Sequence, residues 1–218
     1  MGCFITLEGP DGSGKTTQIQ TLYHDLVVEG YPVLLVREPG GTDIGDQIRT
    51  ILHDVKNVEM LANAEVLLYS ASRAQLVGQV IRPALEAGKV VLCDRYAEST
   101  MAYQGYGHDL DQELLKAITA FATGGLRPDL IIYLDIDVEE SLRRKEQASR
   151  QGTCEWNRMD QKGLAFHRRV RDGYLQLMAK EPERWFVLDA VQSIESLQTS
   201  IRKRVKRLLA EKHIRRTT

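Results

Sequence analysis

Short apolar runs recur along the chain at 4–7, 33–36, 90–93, 130–134 and 185–188, and each is continuous rather than alternating. A continuous run suits a strand covered on both faces, because both sets of side chains must then be apolar. Longer stretches of helical period lie between and after them, at 15–29, 44–52, 63–86, 114–122, 138–148, 164–179 and 194–210. The alternation predicts an α/β fold, a five-stranded parallel sheet with helices on both faces. Breakers and caps agree with it: Gly30 stops the first helix, Asp111 caps the fourth, Gly124-Gly125 end it, and Pro83 bends the long third helix near its end. No repeat, low-complexity tract or linker interrupts the 218 residues, so one domain is expected over 1–218.

One stretch breaks the pattern. Residues 149–156 read Ser-Arg-Gln-Gly-Thr-Cys-Glu-Trp, polar and glycine-containing between two helical stretches. Arg143, Arg144, Arg150 and Arg158 flank it, which suggests a short, cation-bearing lid over about 143–158.

Charge narrows the partners. With 29 basic and 30 acidic side chains the net charge is −1, which argues against a nucleic-acid partner held by counterion release. The basic stretch Arg202, Lys203, Arg204, Lys206 and Arg207 reads as the solvated face of a helix whose apolar side carries Ile201, Val205, Leu208 and Leu209. Cys3, Cys93 and Cys154 are odd in number and widely spaced, so neither a disulfide framework nor a zinc site is suggested. No apolar run is long enough to span a bilayer, and no signal peptide is expected because the phosphate loop begins within the first ten residues. A cytoplasmic protein without a membrane partner is expected. The opening Met1-Gly2-Cys3-Phe4-Ile5-Thr6 matches an N-myristoylation pattern, but Phe4, Ile5 and Leu7 belong to a buried strand, so the match is read as coincidental.

The strongest chemical signal is Gly9-Pro10-Asp11-Gly12-Ser13-Gly14-Lys15-Thr16, a complete G-x-x-x-x-G-K-[ST] between a strand and a helix. Its glycines let backbone N–H groups turn toward phosphate oxygens, Lys15 faces the β- and γ-phosphates, and the Thr16 hydroxyl ligates magnesium. ATP with Mg²⁺ is therefore the expected cofactor pair, bound by residues 9–16 and Thr17. No Asn-Lys-x-Asp guanine-reading motif is present.

Asp94-Arg95 ends the third predicted strand, where open α/β sheets place ligands. Asp94 can order magnesium or its waters, or hold Arg95, and Arg95 offers a planar fork for a phosphate. A phosphate monoester is largely a dianion at pH 7 and needs no general base, only cations that offset repulsion between two phosphates. Lys15, Arg95 and the lid arginines supply them, which favours a phosphate acceptor over a hydroxyl. Tyr69 and Arg73, four residues apart, share a helix face; spacing alone reads them as a core tyrosine and a solvated arginine.

Taken together these motifs resemble bacterial thymidylate kinases. The likeness runs from Ile5 to Asp189 and is carried by Glu8–Thr17, Arg37-Glu38-Pro39-Gly40-Gly41-Thr42, Leu68-Tyr69-Ser70-Ala71-Ser72-Arg73-Ala74-Gln75, Asp94-Arg95-Tyr96 with Ser99–Gly105, Arg127-Pro128-Asp129-Leu130 with Tyr133-Leu134-Asp135, and Phe166–Tyr174. The resemblance implies a P-loop kinase fold and transfer of the γ-phosphate of ATP to dTMP, giving dTDP in dTTP synthesis. Other nucleoside monophosphate kinases (UMP/CMP type), deoxynucleoside kinases and a nucleotide-binding regulatory module are the rival readings. Residue by residue, it implies Asp11 near the sugar 3′-hydroxyl and acceptor phosphate, Tyr69 stacked on thymine, Arg73 donating to O4, and Thr100 and Gln104 facing the base, with Thr100 near N3–H. Tyr103 would lie under the deoxyribose and crowd a 2′-hydroxyl. Arg95 would hold the acceptor phosphate with Arg49 assisting, and Glu38 and Pro39 complete the acceptor set. Gly12, not arginine, follows Asp11, so the resemblance implies a catalytic arginine from the lid, with Arg143, Arg150 and Arg158 as candidates. It also implies a homodimer packed through helices.

Overall fold

A computed structural model of the chain describes residues 2–216. Met1, the first residue of the acylation pattern, and Thr217 and Thr218, the end of the expected domain, lie outside the described residues. Five strands, β1 (Cys3–Glu8), β2 (Val33–Arg37), β3 (Val90–Asp94), β4 (Leu130–Asp135) and β5 (Trp185–Asp189), form one sheet in the order β2-β3-β1-β4-β5. Every pairing is parallel. The side-chain alternation of each strand divides it between two layers. Cys3, Ile5 and Leu7 of β1 pack with Val90 and Leu92 into one cluster, whereas Phe4, Val91 and Cys93 enter a second cluster on the opposite face. This two-sided burial explains why the strands are continuous apolar runs.

Nine α-helices occur among the described residues: α1 (Lys15–Val28), α2 (Asp43–His53), α3 (Ala62–Leu76), α4 (Arg82–Glu86), α5 (Ala97–Thr100), α6 (Gln112–Thr123), α7 (Val138–Arg150), α8 (Leu164–Lys180) and α9 (Ile194–Glu211). The Asp111 carboxylate caps α6 by accepting from the N–H groups of Glu113 and Leu114, and Gly124 ends it in a left-handed conformation. On α9, Ile201, Val205, Leu208 and Leu209 are buried, while Arg202 and Lys206 pair with Glu29 across the surface.

Two expectations need correction. The single helix over 63–86 is α3, a π-helical turn at Val77–Ile81, and α4. Pro83 lacks the N–H that an α-helix would direct to the carbonyl four residues earlier, and the wider turn lies just before it. Residues 97–107, given no element from sequence, are helical throughout, as α5 followed by a π-helical segment Met101–Gly107. Gly105 and Gly107 make that stretch read as a loop. The structure uses them for close packing: a Cβ on Gly107 would meet the Phe166 ring at 2.7 Å.

The topology sets the site. Register pairs Leu7 with Asp94, so the loop after β1 and the turn after β3 emerge side by side at the carboxyl edge of the sheet.

Candidate active site

The chain leaves β1 through Gly9, Gly12 and Gly14, all at positive φ, and enters α1 at Lys15. A Cβ on Gly12 would lie 2.4 Å from the Ser141 carbonyl oxygen, so α7 seals the outside of this loop only because glycine stands there. Lys15 is buried and its Nζ donates to the Pro10 carbonyl at 2.8 Å, spanning the loop. Burial first, then the nearby Arg95, lower its pKa to about 8 against the opposing pull of Asp11. Asp11 Oδ1 lies 4.0 Å from this ammonium, close enough for charge attraction but beyond hydrogen-bond distance.

Thr16 Oγ1 donates to Asp94 Oδ2 at 3.0 Å. Among the described residues no cluster of three or more His, Cys, Asp or Glu could hold a metal ion. One hydroxyl and one carboxylate nevertheless fit Mg²⁺, which keeps several waters and takes much of its shell from nucleotide phosphates.

Arg95 is the one non-glycine residue of the site at positive φ, 70°. Its N–H donates to the Leu7 carbonyl at 3.0 Å, and the turn throws its guanidinium back over the loop. Arg95 Nη2 donates to Asp11 Oδ1 at 2.9 Å, and the guanidinium carbon sits 5.1 Å from the centre of the Tyr103 ring. Burial opposes ionisation of Asp11, but Arg95, Lys15 and Lys145 outweigh it and hold the carboxyl well below the usual range.

Beneath this lies Glu8, fully buried at the end of β1. It accepts from the Tyr96 N–H (2.7 Å), the Ser99 hydroxyl (2.6 Å) and the Tyr174 hydroxyl (2.8 Å). Burial and the neighbouring Glu98 push its pKa up to about 7.

Of the nominated residues, Asp11, Gly12, Gly14, Lys15, Thr16, Thr17, Glu38, Pro39, Arg49, Tyr69, Arg73, Asp94, Arg95, Thr100, Tyr103 and Gln104 line one cleft of about 700 Å³. Gly9, Pro10 and Ser13 shape the loop behind it. Arg73 is not the solvated arginine that spacing suggests: it is 2% exposed, and donates to Glu38 Oε2 (2.7 Å), Thr100 Oγ1 (2.9 Å) and the Tyr96 carbonyl (3.0 Å). Tyr69 lines the cleft instead of joining the core.

The structure does not bring the three lid arginines into the cleft. The buried stripe of α7 is Val138, Ser141 and Lys145, at helical spacings of three and four. Arg143 and Arg150 fall off that stripe, are 62% and 77% exposed, and pair with Glu140 and Glu146 along the outer face. Arg158 opens a 3₁₀ turn (Arg158–Gln161) but is buried, bonded to Glu65 and to the Leu52 carbonyl. The cations that α7 gives to the cleft are Arg144 and Lys145, and Lys145 Nζ lies 3.5 Å from Asp160. Sequence reading missed Lys145; the signal was a Ser and a Lys on the apolar stripe of an otherwise polar helix. Asn157 caps the 3₁₀ turn: its side-chain Oδ1 accepts from the Met159 N–H, and the Asn157 N–H donates to Asp160 Oδ2. Glu155, in the expected lid, reaches Arg49 and His53 of α2, each at 3.4 Å.

Comparison with known proteins bears on this site as a whole. The family model described as thymidylate kinase matches residues 7–201. The thymidylate kinase of Roseiflexus sp. (strain RS-1) is 55% identical over 208 residues, covering 92% of each chain. That of Herpetosiphon aurantiacus is 48% identical, over 90% of this chain and 92% of its own. Among solved structures, thymidylate kinase from Ehrlichia chaffeensis superimposes with a TM-score of 0.76 at 32% identity, over 94% of this chain and all of that one. With sequence, fold and comparison in agreement, the chain belongs to the thymidylate kinase family.

Proposed function

We propose that this enzyme transfers the γ-phosphate of ATP to the phosphate of dTMP, giving ADP and dTDP. The observation that carries the reading is the meeting of the two strand ends. Thr16 and Asp94 form one oxygen pair beside the phosphate loop, and the next residue, Arg95, turns to Asp11 across the same cleft. Donor and acceptor phosphates are thereby directed to one place, with Lys15 and Arg95 between them. Thr16 and Asp94 would hold Mg²⁺, which supplies charge neutralisation on the nucleotide oxygens.

The acceptor lies in the part of the cleft lined by Tyr69, Arg73, Thr100, Tyr103 and Gln104. Tyr69 stacks on the base, Arg73 and Thr100 meet its polar edge, and Tyr103 fills the space a 2′-hydroxyl would need. Arg95 grips the acceptor phosphate, assisted by Arg49. Lys145, buried at the cleft wall near Asp11, takes the role that sequence reading gave to a lid arginine.

The chain acts as a single domain and as a homodimer. Packed against each other, α3 and α6 leave Leu67, Leu114 and Phe121 exposed, Phe121 to 90%, which supports a helix-mediated contact between copies. A cytoplasmic setting accords with three free thiols, two of them fully buried, and with the absence of any helix among the described residues long and apolar enough to cross a membrane.

The test is ADP release with Mg-ATP and dTMP, dUMP, UMP, CMP, AMP and thymidine in parallel. A kcat/KM highest for dTMP is the expected outcome. Preference for another monophosphate would refute the roles given to Tyr69, Arg73 and Thr100, and turnover of thymidine alone would overturn the phosphate-acceptor reading.

A further inference from the structure

Glu65, Tyr69 and Arg73 follow one another at steps of four along α3 and so share a face. Opposite them, Thr100 and Gln104 are also four apart, on the helical run 97–107. Two polar rungs join these stripes: Arg73 Nη1 donates to Thr100 Oγ1 at 2.9 Å, and Gln104 Nε2 donates to Glu65 Oε1 at 2.7 Å. Along α3, Tyr69 is midway between the rungs.

Each rung fixes the polarity of a group lining the cleft. Thr100 Oγ1 accepts, so its own hydrogen remains to donate, which suits it to O4 rather than to the N3–H that the family resemblance implies for it. Gln104 commits its amide nitrogen to Glu65, and its Oε1 is turned away and accepts from no donor among the described residues. A donor beside an acceptor matches the edge of a pyrimidine imide, where O4 accepts and N3–H donates. Cytosine presents the reverse, an amino group and a bare N3.

Glu65 is what holds this arrangement. It has no solvent exposure, and Arg158 Nη2 lies 2.5 Å from Oε2 with His108 Nε2 3.2 Å from Oε1. Burial opposes its ionisation, but His108, Arg158 and Gln104 outweigh that and bring the pKa down to about 2. An ionised carboxylate has acceptors only, so the neighbouring amide must turn its nitrogen toward it. Arg158 also donates to the Leu52 carbonyl, fastening the end of α2 to the same point.

We propose that Glu65, clamped by Arg158, is a specificity-determining positioning residue: it takes the amide nitrogen of Gln104 and leaves the amide oxygen to accept the imide N3–H of the acceptor base. This rests on the thymidylate reading above and adds to it the group that rejects cytosine. Arg158 acts in it as a positioning residue.

The experiment compares dTMP and dCMP as acceptors for the full-length enzyme, Glu65→Gln and Gln104→Met, with KM for ATP measured alongside. In Glu65→Gln, Arg158 keeps the carbonyl of the new side chain, whose NH₂ then faces Gln104 and forces that amide to rotate. The ratio of kcat/KM for dTMP over dCMP should fall by at least about tenfold in both variants, through KM of the acceptor, with KM for ATP within about twofold. A parallel loss on both nucleotides with the ratio unchanged overturns the proposal. Should Glu65→Gln lose its folded circular dichroism spectrum, Gln104→Met decides by the same ratio. A wild-type enzyme without preference for dTMP over dCMP removes the acceptor reading itself, and the inference with it.

Discussion

Arg95 and Asp11 meet at 2.9 Å from the ends of two adjacent strands, one residue held at positive φ and the other inside a glycine-rich loop. The pair resolves a chemical problem. Two phosphates must approach closely, and a cation alone between them would be free to move with either. Asp11 pins the guanidinium of Arg95 from one side and the Tyr103 ring supports it from another. Removing the planar fork should therefore misplace the acceptor. Arg95→Lys is expected to lower kcat/KM for dTMP about a hundredfold or more while leaving KM for ATP nearly unchanged. Equal effects on both nucleotides would mean that Arg95 only braces the sheet edge.

Cations on α7 divide by face. Lys145 lies on the buried stripe, 3.5 Å from Asp160, whereas Arg143 and Arg150 lie outside it with surface partners. Lys145→Ala is expected to reduce kcat about a hundredfold or more, and Arg143→Ala and Arg150→Ala by less than about threefold. Steady-state kinetics of the three variants settles this, and a large loss in Arg150→Ala would restore a lid arginine to the chemistry.

Tyr103 is 7% exposed and donates its ring to the support of Arg95. Its replacement by Ala opens space beside the sugar. The ratio of kcat/KM for dTMP over the corresponding ribonucleotide should drop about tenfold in Tyr103→Ala, and stay near wild type in Tyr103→Phe, which keeps the ring. Unchanged ratios in the alanine variant would remove the sugar-sensing role.

Glu8 carries a pH signature. Its folded pKa, raised to about 7 by burial and Glu98, exceeds the value of about 4.5 expected of an exposed glutamate. The folded state therefore holds a proton that the unfolded state releases, so the contribution is fully present below pH 4.5 and is lost as pH rises through 7. Glu8→Gln mimics the protonated form at every pH. The difference in Tm between this variant and wild type should shift in the variant's favour as pH rises from about 5 to 8. A difference independent of pH would show that Glu8 titrates no differently in the two states.

How much of this was legible in the chain depended on the range of the forces involved. Strands such as β4, with Leu130, Ile131 and Ile132 buried on both faces, announce themselves as apolar runs. The phosphate loop is equally local, because its geometry needs particular residues at fixed spacing. By contrast, the direction of Arg143 against Lys145 is set by which stripe of α7 meets the phosphate loop, and the polar periodicity of that helix hides the stripe. Nothing local in the sequence marks Glu65; only Arg158, Gln104 and His108, arriving from distant positions, make it a buried acceptor. The helical run 97–107 was masked by Gly105 and Gly107, whose small size admits Gln112 of α6 and Phe166 of α8 rather than making a turn.

The most direct test of the central claim follows the phosphoryl group itself. ATP labelled at the γ-phosphate is mixed with enzyme, magnesium and dTMP, and the nucleotides are separated by ion-exchange chromatography. The label should appear in the β-position of dTDP, in step with ADP formation, and should fail to transfer in Lys15→Ala that remains folded. Label found only in inorganic phosphate, or on the 3′-hydroxyl of the acceptor, would contradict the account.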